Sequence, residues 1–471
     1  GKLHATQQNP DWKQTKMKHQ FVLCVIATAA AFFVCSSYAF DCEDVVGCTE
    51  AAVRSPAMRR LMKIKELEHM VCVARKECPL QIASVGSSPC TNNVAAGEYP
   101  CSNIDLLSFV SLSDLGSVGD SNDIWGWTDP MTKHEYAIVG LVDGTSFVDV
   151  TNPSAPEVVA FVPTQTFKSL WRDMKVFQNH VFIGAEAKNH GLQVFDLTRL
   201  RGLKATNPVT KLRPDAHYSG FGNSHNIVIN EESGMLYAVG SNKCRGGLYI
   251  LDINSPKQPQ FAGCFAEDGY THDAQCLNWS HGDPNFLGKE LCFAYNEDSL
   301  TIVDVTDKQN IQMISRTEYS LSAYTHQGWL ISDNSHLLLN DELDEVERPE
   351  LEGHTRTMLW NVEDLTAPKL VDSYLNAETS IDHNLYITKK QRKSDGKEVE
   401  LAFLANYCSG LRIYDMSEVR ERIHEIAYFD VAPNCDKAEF AGSWSVYPFF
   451  ESGTIIVSSI ERGLFVLRHN L

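Results

Sequence analysis

The stretch "TSFVDVTNPSAPEVVAFV" at residues 145–162 returns three times with changes: "GLYILDINSPKQPQFAGCF" (247–265), "SLTIVDVTDKQNIQMISRT" (299–317) and "TMLWNVEDLTAPKLVDSY" (357–374). Each copy is a β-rich run, an Asp or Asn, a polar or Pro-containing turn, and a second β-rich run. That pattern is strand–turn–strand. Shorter relatives are "GLQVFDLTRL" (191–200), "GLRIYDMSEV" (410–419) and "GLFVLRHNL" (463–471). The acidic residue has a structural use in such a unit: its carboxylate accepts the backbone N–H two residues on and fixes the turn. Asp149, Asp196, Asp252, Asp304 and Asp415 are read this way rather than as catalytic groups.

These aspartates lie 47, 56, 52 and 111 residues apart, and Asn361 divides the last gap into 57 and 54. A period near 50 with four strands per copy is the spacing of a β-propeller. The copies open near Trp125, Arg172, His225, His272, His326, His383 and Trp444, which gives seven blades. The seventh copy, from Ala441, ends after its third strand. "NIDLLSFVSLSDL" (103–115) is strand-like and unassigned, so it is expected to supply the missing strand and close the ring, leaving no open edge.

The chain before the repeats is of a different kind. Met17-Lys18-His19 precedes an uncharged, mostly apolar run of 14 residues, Phe21 to Val34, and then Ser37-Tyr38-Ala39. That is the layout of a secretory signal peptide, and the run is short for a membrane span. Residues 1–39 are therefore assigned as leader and signal, 40–101 as a cysteine-rich, partly helical module, and 102–471 as the propeller. Twelve of the 14 cysteines remain after residue 39, an even number suited to disulfides in an oxidising compartment. Six of them fall between Cys42 and Cys101. Cys90 and Cys101 are expected to tether the approach to the closing strand. "TEAAVRSPAMRRLMKIKELEHMVCVARKE" (49–77) reads as a helix capped by Thr49 or Ser55, with Leu61, Ile64, Leu67 and Val71 at helical spacing. It is expected to be clipped by disulfides and to pack on or near the propeller. Asn278-Trp279-Ser280 is a glycosylation sequon in a loop-like stretch.

Removal of residues 1–39 takes away four lysines and one aspartate and changes the formal charge from −19 to −22. So acidic a surface repels nucleic acid and anionic membranes, and divalent cations or basic partners are its expected company. The plainer reading of the same acidity is solubility.

Four copies open on a histidine: "NSHNIVI" (223–229), "YTHDAQ" (270–275), "YTHQGW" (324–329) and "IDHNLYI" (381–387). The first strand of a propeller blade lines the central channel, so His225, His272, His326 and His383 are expected as an arc at one channel mouth. Arg172, Asp173, Asp273, Asp382 and Trp444 are expected beside them as ligand-binding residues. Three chemistries fit such an arc. The imidazoles can be channel-lining groups satisfied by neighbours. They can hold a transition metal such as zinc, copper, iron or nickel. They can serve a small-ligand or catalytic site, with Asp382 or Asp273 orienting a histidine base and Arg172 holding an anion. No nucleophile motif, HExxH zinc motif or Gly-rich phosphate loop marks a reaction. "NDELDE" (340–345) offers Asp341, Glu342, Asp344 and Glu345 as oxygen ligands for calcium, without EF-hand spacing; a solvated strand end is its other reading.

Longer blocks carry a family resemblance. "WRDMKVF", "SHNIVINEESGMLYAVG", "HDAQCL", "YTHQGWL", "LLLNDELDE", "IDHNLYI" and "GSWSVYPFFESGTIIVSSIERGLFVL" together look like the choice-of-anchor B family of LVIVD repeats. "AAGEYPCSNIDLLSFVSL" (95–112) resembles that family's segment before the repeats, so the likeness runs over roughly residues 90–468. It implies an exported protein, often with a surface anchor. Here no tail follows the last strand, so a freely secreted or matrix-bound protein is expected, and the module at 42–89 departs from the family pattern. The resemblance transfers no catalytic residue. The expected function is therefore an extracellular binding, adhesion or matrix-interaction module for a protein or carbohydrate ligand. The alternative is a metal-dependent hydrolase or lyase at the histidine mouth.

Overall fold

A computed structural model of the chain describes residues 56–75, 83–117, 119–392, 395–419 and 423–471. The signal peptide, Cys42, Cys48, Cys78 and the Thr49 and Ser55 caps lie outside the described residues, as does the Cys72 side chain.

Seven antiparallel sheets follow one another, and each is a blade of four strands, one of them extended further. The repeat explains the regularity. Asp149, Asp196, Asp252, Asp304 and Asp415 each accept the backbone N–H two residues on, at 2.8–3.1 Å, and Asn361 does the same at 3.1 Å. Each bond ends a third strand at the same point and turns the chain towards the outer one. Second and third strands are largely apolar and buried because a blade packs between two others. The seams are filled by side chains such as Phe147 and Phe195, from blades 1 and 2, with ring centroids 5.0 Å apart.

Blade 7 consists of Ser443–Tyr447, Ile455–Ser459 and Gly463–His469, and its fourth strand is Ile104–Ser111. Ile104 pairs with His469 and Ser111 with Gly463. The expected closure is present. Gly463 is required there: its φ is +124°, and a Cβ would stand 2.5 Å from the Val110 carbonyl oxygen.

The chain just before the closing strand also joins the sheets. Val85 and Ser88 bridge to Phe109 and Leu106. Tyr99–Ser102 pairs with His424–Phe429 at the outer edge of blade 6, and Val94–Ala95 adds one strand more. Residues 85–101, grouped by sequence with the cysteine-rich module, thus pair with blades 6 and 7. Disulfides join Cys90 to Cys101, Cys244 to Cys264, Cys276 to Cys292 and Cys408 to Cys435. Cys276 and Cys292 are direct cross-strand partners in blade 4.

Helix α1 (Pro56–Arg75) is the one long helix among the described residues. Its buried face is Met58, Leu61, Met62 and Lys65. That differs from the face expected from spacing: Leu67 is 60% exposed and Val71 38% exposed. No helix among the described residues is long and apolar enough to cross a membrane.

Candidate functional site

The four histidines hold equivalent places in blades 3 to 6. His225 and His272 immediately precede the inner strands Asn226–Asn230 and Asp273–Asn278. His326 lies in Thr325–Leu330, and His383 stands two residues before Leu385–Gln391. Their rings follow one another around the channel with centroids 4.4, 4.2 and 4.4 Å apart. All four are 5% exposed or less.

What buries them is α1. Met58, Leu61 and Met62 pack among Trp171, Tyr270, Tyr324, Tyr407 and Trp444, an aromatic collar from several blades. One turn on, Lys65 reaches inward. Its ammonium lies 2.6 Å from Glu342 Oε1 and 5.0–5.5 Å from the ring centroids of Tyr407, Phe440 and Trp444. Tyr407 donates its hydroxyl to the same carboxylate oxygen at 2.7 Å. Burial alone would raise the Glu342 carboxyl, but Lys65 and the adjacent histidines outweigh it and hold it well below the carboxylate range. Burial pushes His272 and His326 well below the usual imidazole value, so both rings are neutral. A mouth expected to be open is a covered, charged pocket.

The other residues expected at this mouth separate. Arg172 is buried between blades 1 and 2, where Nε donates to the Leu141 carbonyl at 3.0 Å and Nη2 to Thr164 Oγ1 at 2.8 Å. Its Nη1 lies 3.1 Å from His190 Nε2. It is a brace between blades and not an anion holder. Burial, and then Arg172 itself, push His190 down to about 3. Asp173 faces the channel interior, 2.6 Å from Lys175 Nζ, and accepts the Ile227 N–H at 2.6 Å. Trp444 remains at the mouth, 5.2 Å from His383 ring to ring. Asp382 is buried, and burial with the nearby Asp344 and Asp341 raises it well above the carboxylate range.

The acidic run also divides. Asp341 accepts the Tyr324 and Ala323 N–H groups and the Tyr319 hydroxyl at 2.6–2.8 Å. Asp344 pairs with Arg356 at 2.7 Å, and Glu345 accepts the Asp382 N–H at 2.9 Å. Burial and the Asp341 carboxylate push Asp344 up to about 8. Among the described residues, the group of three whose ligand-type atoms come within 4.8 Å of one another is His272, His326 and Glu342. The run contributes Glu342 alone to it, and all four of its carboxylates are buried rather than a solvated strand end. Asn278 ends a strand with its amide donating to Glu232 at 2.9 Å, and the loop begins after it.

The opposite end of the channel was not legible as a site. The far ends of the inner strands surround a cavity of about 640 Å³ whose walls include Trp125, Trp127, Trp329, Tyr386, Tyr447 and Phe449. Polar groups enter it from Gln275, Gln327, Asp273 and Lys175. Lys175 lies over the Trp125 ring at 4.6 Å and is paired to Asp173. Burial raises Asp273 to about 7 against the opposing pull of Lys175. Gly126, between two tryptophans, is needed: a Cβ there would fall 2.1 Å from Tyr447 Cε1. The signal in the sequence was "WGW" (125–127) and "QGW" (327–329), an aromatic beside a glycine at one place in two inner strands.

No protein-family model matches the chain, and no curated protein matches it. Solved structures similar to it share about a tenth of its residues. A Lactobacillus plantarum protein is 10% identical, covers 72% of this chain and 88% of its own, and has a TM-score of 0.42. The Cps50 (Swd1) β-propeller domain of Myceliophthora thermophila is 10% identical over 74% and 96%, at 0.45. The periplasmic gluconolactonase of Pseudomonas aeruginosa is 8% identical over 76% and 98%, at 0.45.

Proposed function

We propose that this propeller is an exported member of the choice-of-anchor B family that acts as a binding module, with a carbohydrate as ligand in the aromatic cavity. The cavity carries the reading. Its volume of about 640 Å³ lies within the roughly 300–1,000 Å³ of small-ligand sites. Protein partners instead need broad surfaces of ~800 Å² a side. Sugar rings present apolar C–H faces to aromatic side chains and hydroxyls to amides and carboxylates, and Trp125, Trp329, Gln275, Gln327 and Asp273 offer both. Four disulfides support an oxidising, extracellular setting.

A metal-dependent hydrolase or lyase at the histidine mouth is the second reading, favoured by the convergence of His272, His326 and Glu342. With α1 seated those groups are buried, so binding at the open cavity comes first. The test is a glycan array followed by calorimetry. A glycan that binds wild type should lose about tenfold or more in affinity with Trp329→Ala, a change of ~1.4 kcal/mol. A protein that retains no glycan, or whose glycan ignores Trp329→Ala and Asp273→Asn, sinks the proposal.

A further inference from the structure

Three of the four covered histidines, His225, His272 and His383, are held in the orientation that metal ligands require, while His326 Nδ1 has no hydrogen-bond partner. His272 Nδ1 donates to the His326 carbonyl at 2.9 Å, and His383 Nδ1 to the Trp444 carbonyl at 2.5 Å. His225 Nδ1 donates to Glu186 Oε1 at 3.1 Å. Fixing the proton on Nδ1 leaves Nε2 as a lone pair, the arrangement by which outer partners set a metal-binding imidazole. Those lone pairs face a carboxylate. His383 Nε2 is 3.3 Å from Glu342 Oε1, and His326 Nε2 is 3.7 Å from Oε2. A ring-nitrogen lone pair and a carboxylate oxygen so placed, as at His383, repel unless a proton or a metal cation lies between them. Ligands about 2.0–2.1 Å from a tetrahedral zinc ion stand roughly 3.3–3.4 Å apart, close to these separations. His272 Nε2 and Glu342 Oε2 are buried without a protein hydrogen-bond partner.

The cation now at Glu342 is Lys65, 2.6 Å from Oε1. An ammonium and a dication cannot share that carboxylate at close range without strong repulsion.

We propose that His272, His326 and Glu342 form a transition-metal site of the zinc class, with His383 beside Glu342, and that α1 competes for it through Lys65. The helix is then a tethered internal cation: metal enters when Lys65 leaves, and the site closes when it returns. This stands apart from the carbohydrate reading, which concerns the other end of the channel.

The experiment titrates zinc, and cobalt as its coloured substitute, into the full chain and into Lys65→Met. Lys65→Met should bind one equivalent at least tenfold more tightly than wild type and give the intense visible absorption of tetrahedral cobalt. Lys65→Arg should behave as wild type. Adding His272→Ala to Lys65→Met should abolish the stoichiometric binding. Should Lys65→Met not fold, hydrogen exchange on wild type decides: excess zinc should deprotect residues 58–65, and His272→Ala should remove that response. Equal zinc affinity in wild type and Lys65→Met, binding that survives His272→Ala, or unchanged protection of α1 under zinc each overturns the proposal.

Discussion

Lys65 and Glu342 are 277 residues apart in sequence and 2.6 Å apart in space, and both are nearly inaccessible to solvent. Breaking a buried pair by removing one partner costs ~3–5 kcal/mol, because the other charge stays buried. Glu342→Gln and Lys65→Met should each lower stability by that order in chemical unfolding. The double variant Lys65→Met with Glu342→Gln should recover most of the loss. Additive losses would mean that the two residues act independently.

Gly126 should tolerate no side chain. Gly126→Ala drives Tyr447 off the wall of the aromatic cavity, since the new Cβ would overlap its ring. Overpacking of this kind costs ~1–3 kcal/mol. Glycan affinity should fall while the fold, followed by circular dichroism, persists. Undiminished affinity would place the ligand elsewhere.

Arg201 grips Asp129 with two hydrogen bonds of 2.8 Å, and with the Thr132 hydroxyl and Met131 N–H it holds the Asp129 carboxyl far below the carboxylate range. The sign follows: a depressed folded pKa contributes stability above the unfolded value near 4 and loses it as pH falls from there. Asp129→Asn should be less stable than wild type at pH 7, and the gap should narrow below about pH 4. A gap that stays constant with pH assigns the effect to packing.

Asp273 is raised to about 7 by burial, so it ionises within the physiological range. A ligand hydroxyl bound to its carboxylate should bind on the order of tenfold more tightly at pH 8 than at pH 6. Asp273→Asn should flatten that profile. For stability the direction is opposite: a raised carboxyl loses stability as pH climbs from about 4 through 7, and Asp273→Asn should remove that slope too.

The blades were legible because each one repeats a local device, an Asp or Asn fixing its own turn. The closing strand was legible because the seventh copy lacked a fourth strand. The seating of α1 was not. Its buried face carries Lys65 and two methionines, and what makes a lysine buriable is Glu342 and three aromatic rings from distant blades. Arg172 shows the same limit from the other side. Its place at the start of an inner strand could be read, but the direction of its guanidinium depends on the Leu141 carbonyl and Thr164 of the blade before. The four histidines were found by their repeat. The carboxylate they face was hidden in an acidic run whose other three members turn to other partners.

The pairing of Ile104–Ser111 with Gly463–His469 also sets an order of events during synthesis. The first strand of the ring to be made waits for the last. Until blade 7 has been translated, the edge of Ile104–Ser111 that will meet Gly463–His469 and the growing edge of the sheet array have no partner, and unpaired edges invite association between chains. The ring therefore closes only after blade 7 has been made, and partner proteins that shield strand edges would matter most in that interval.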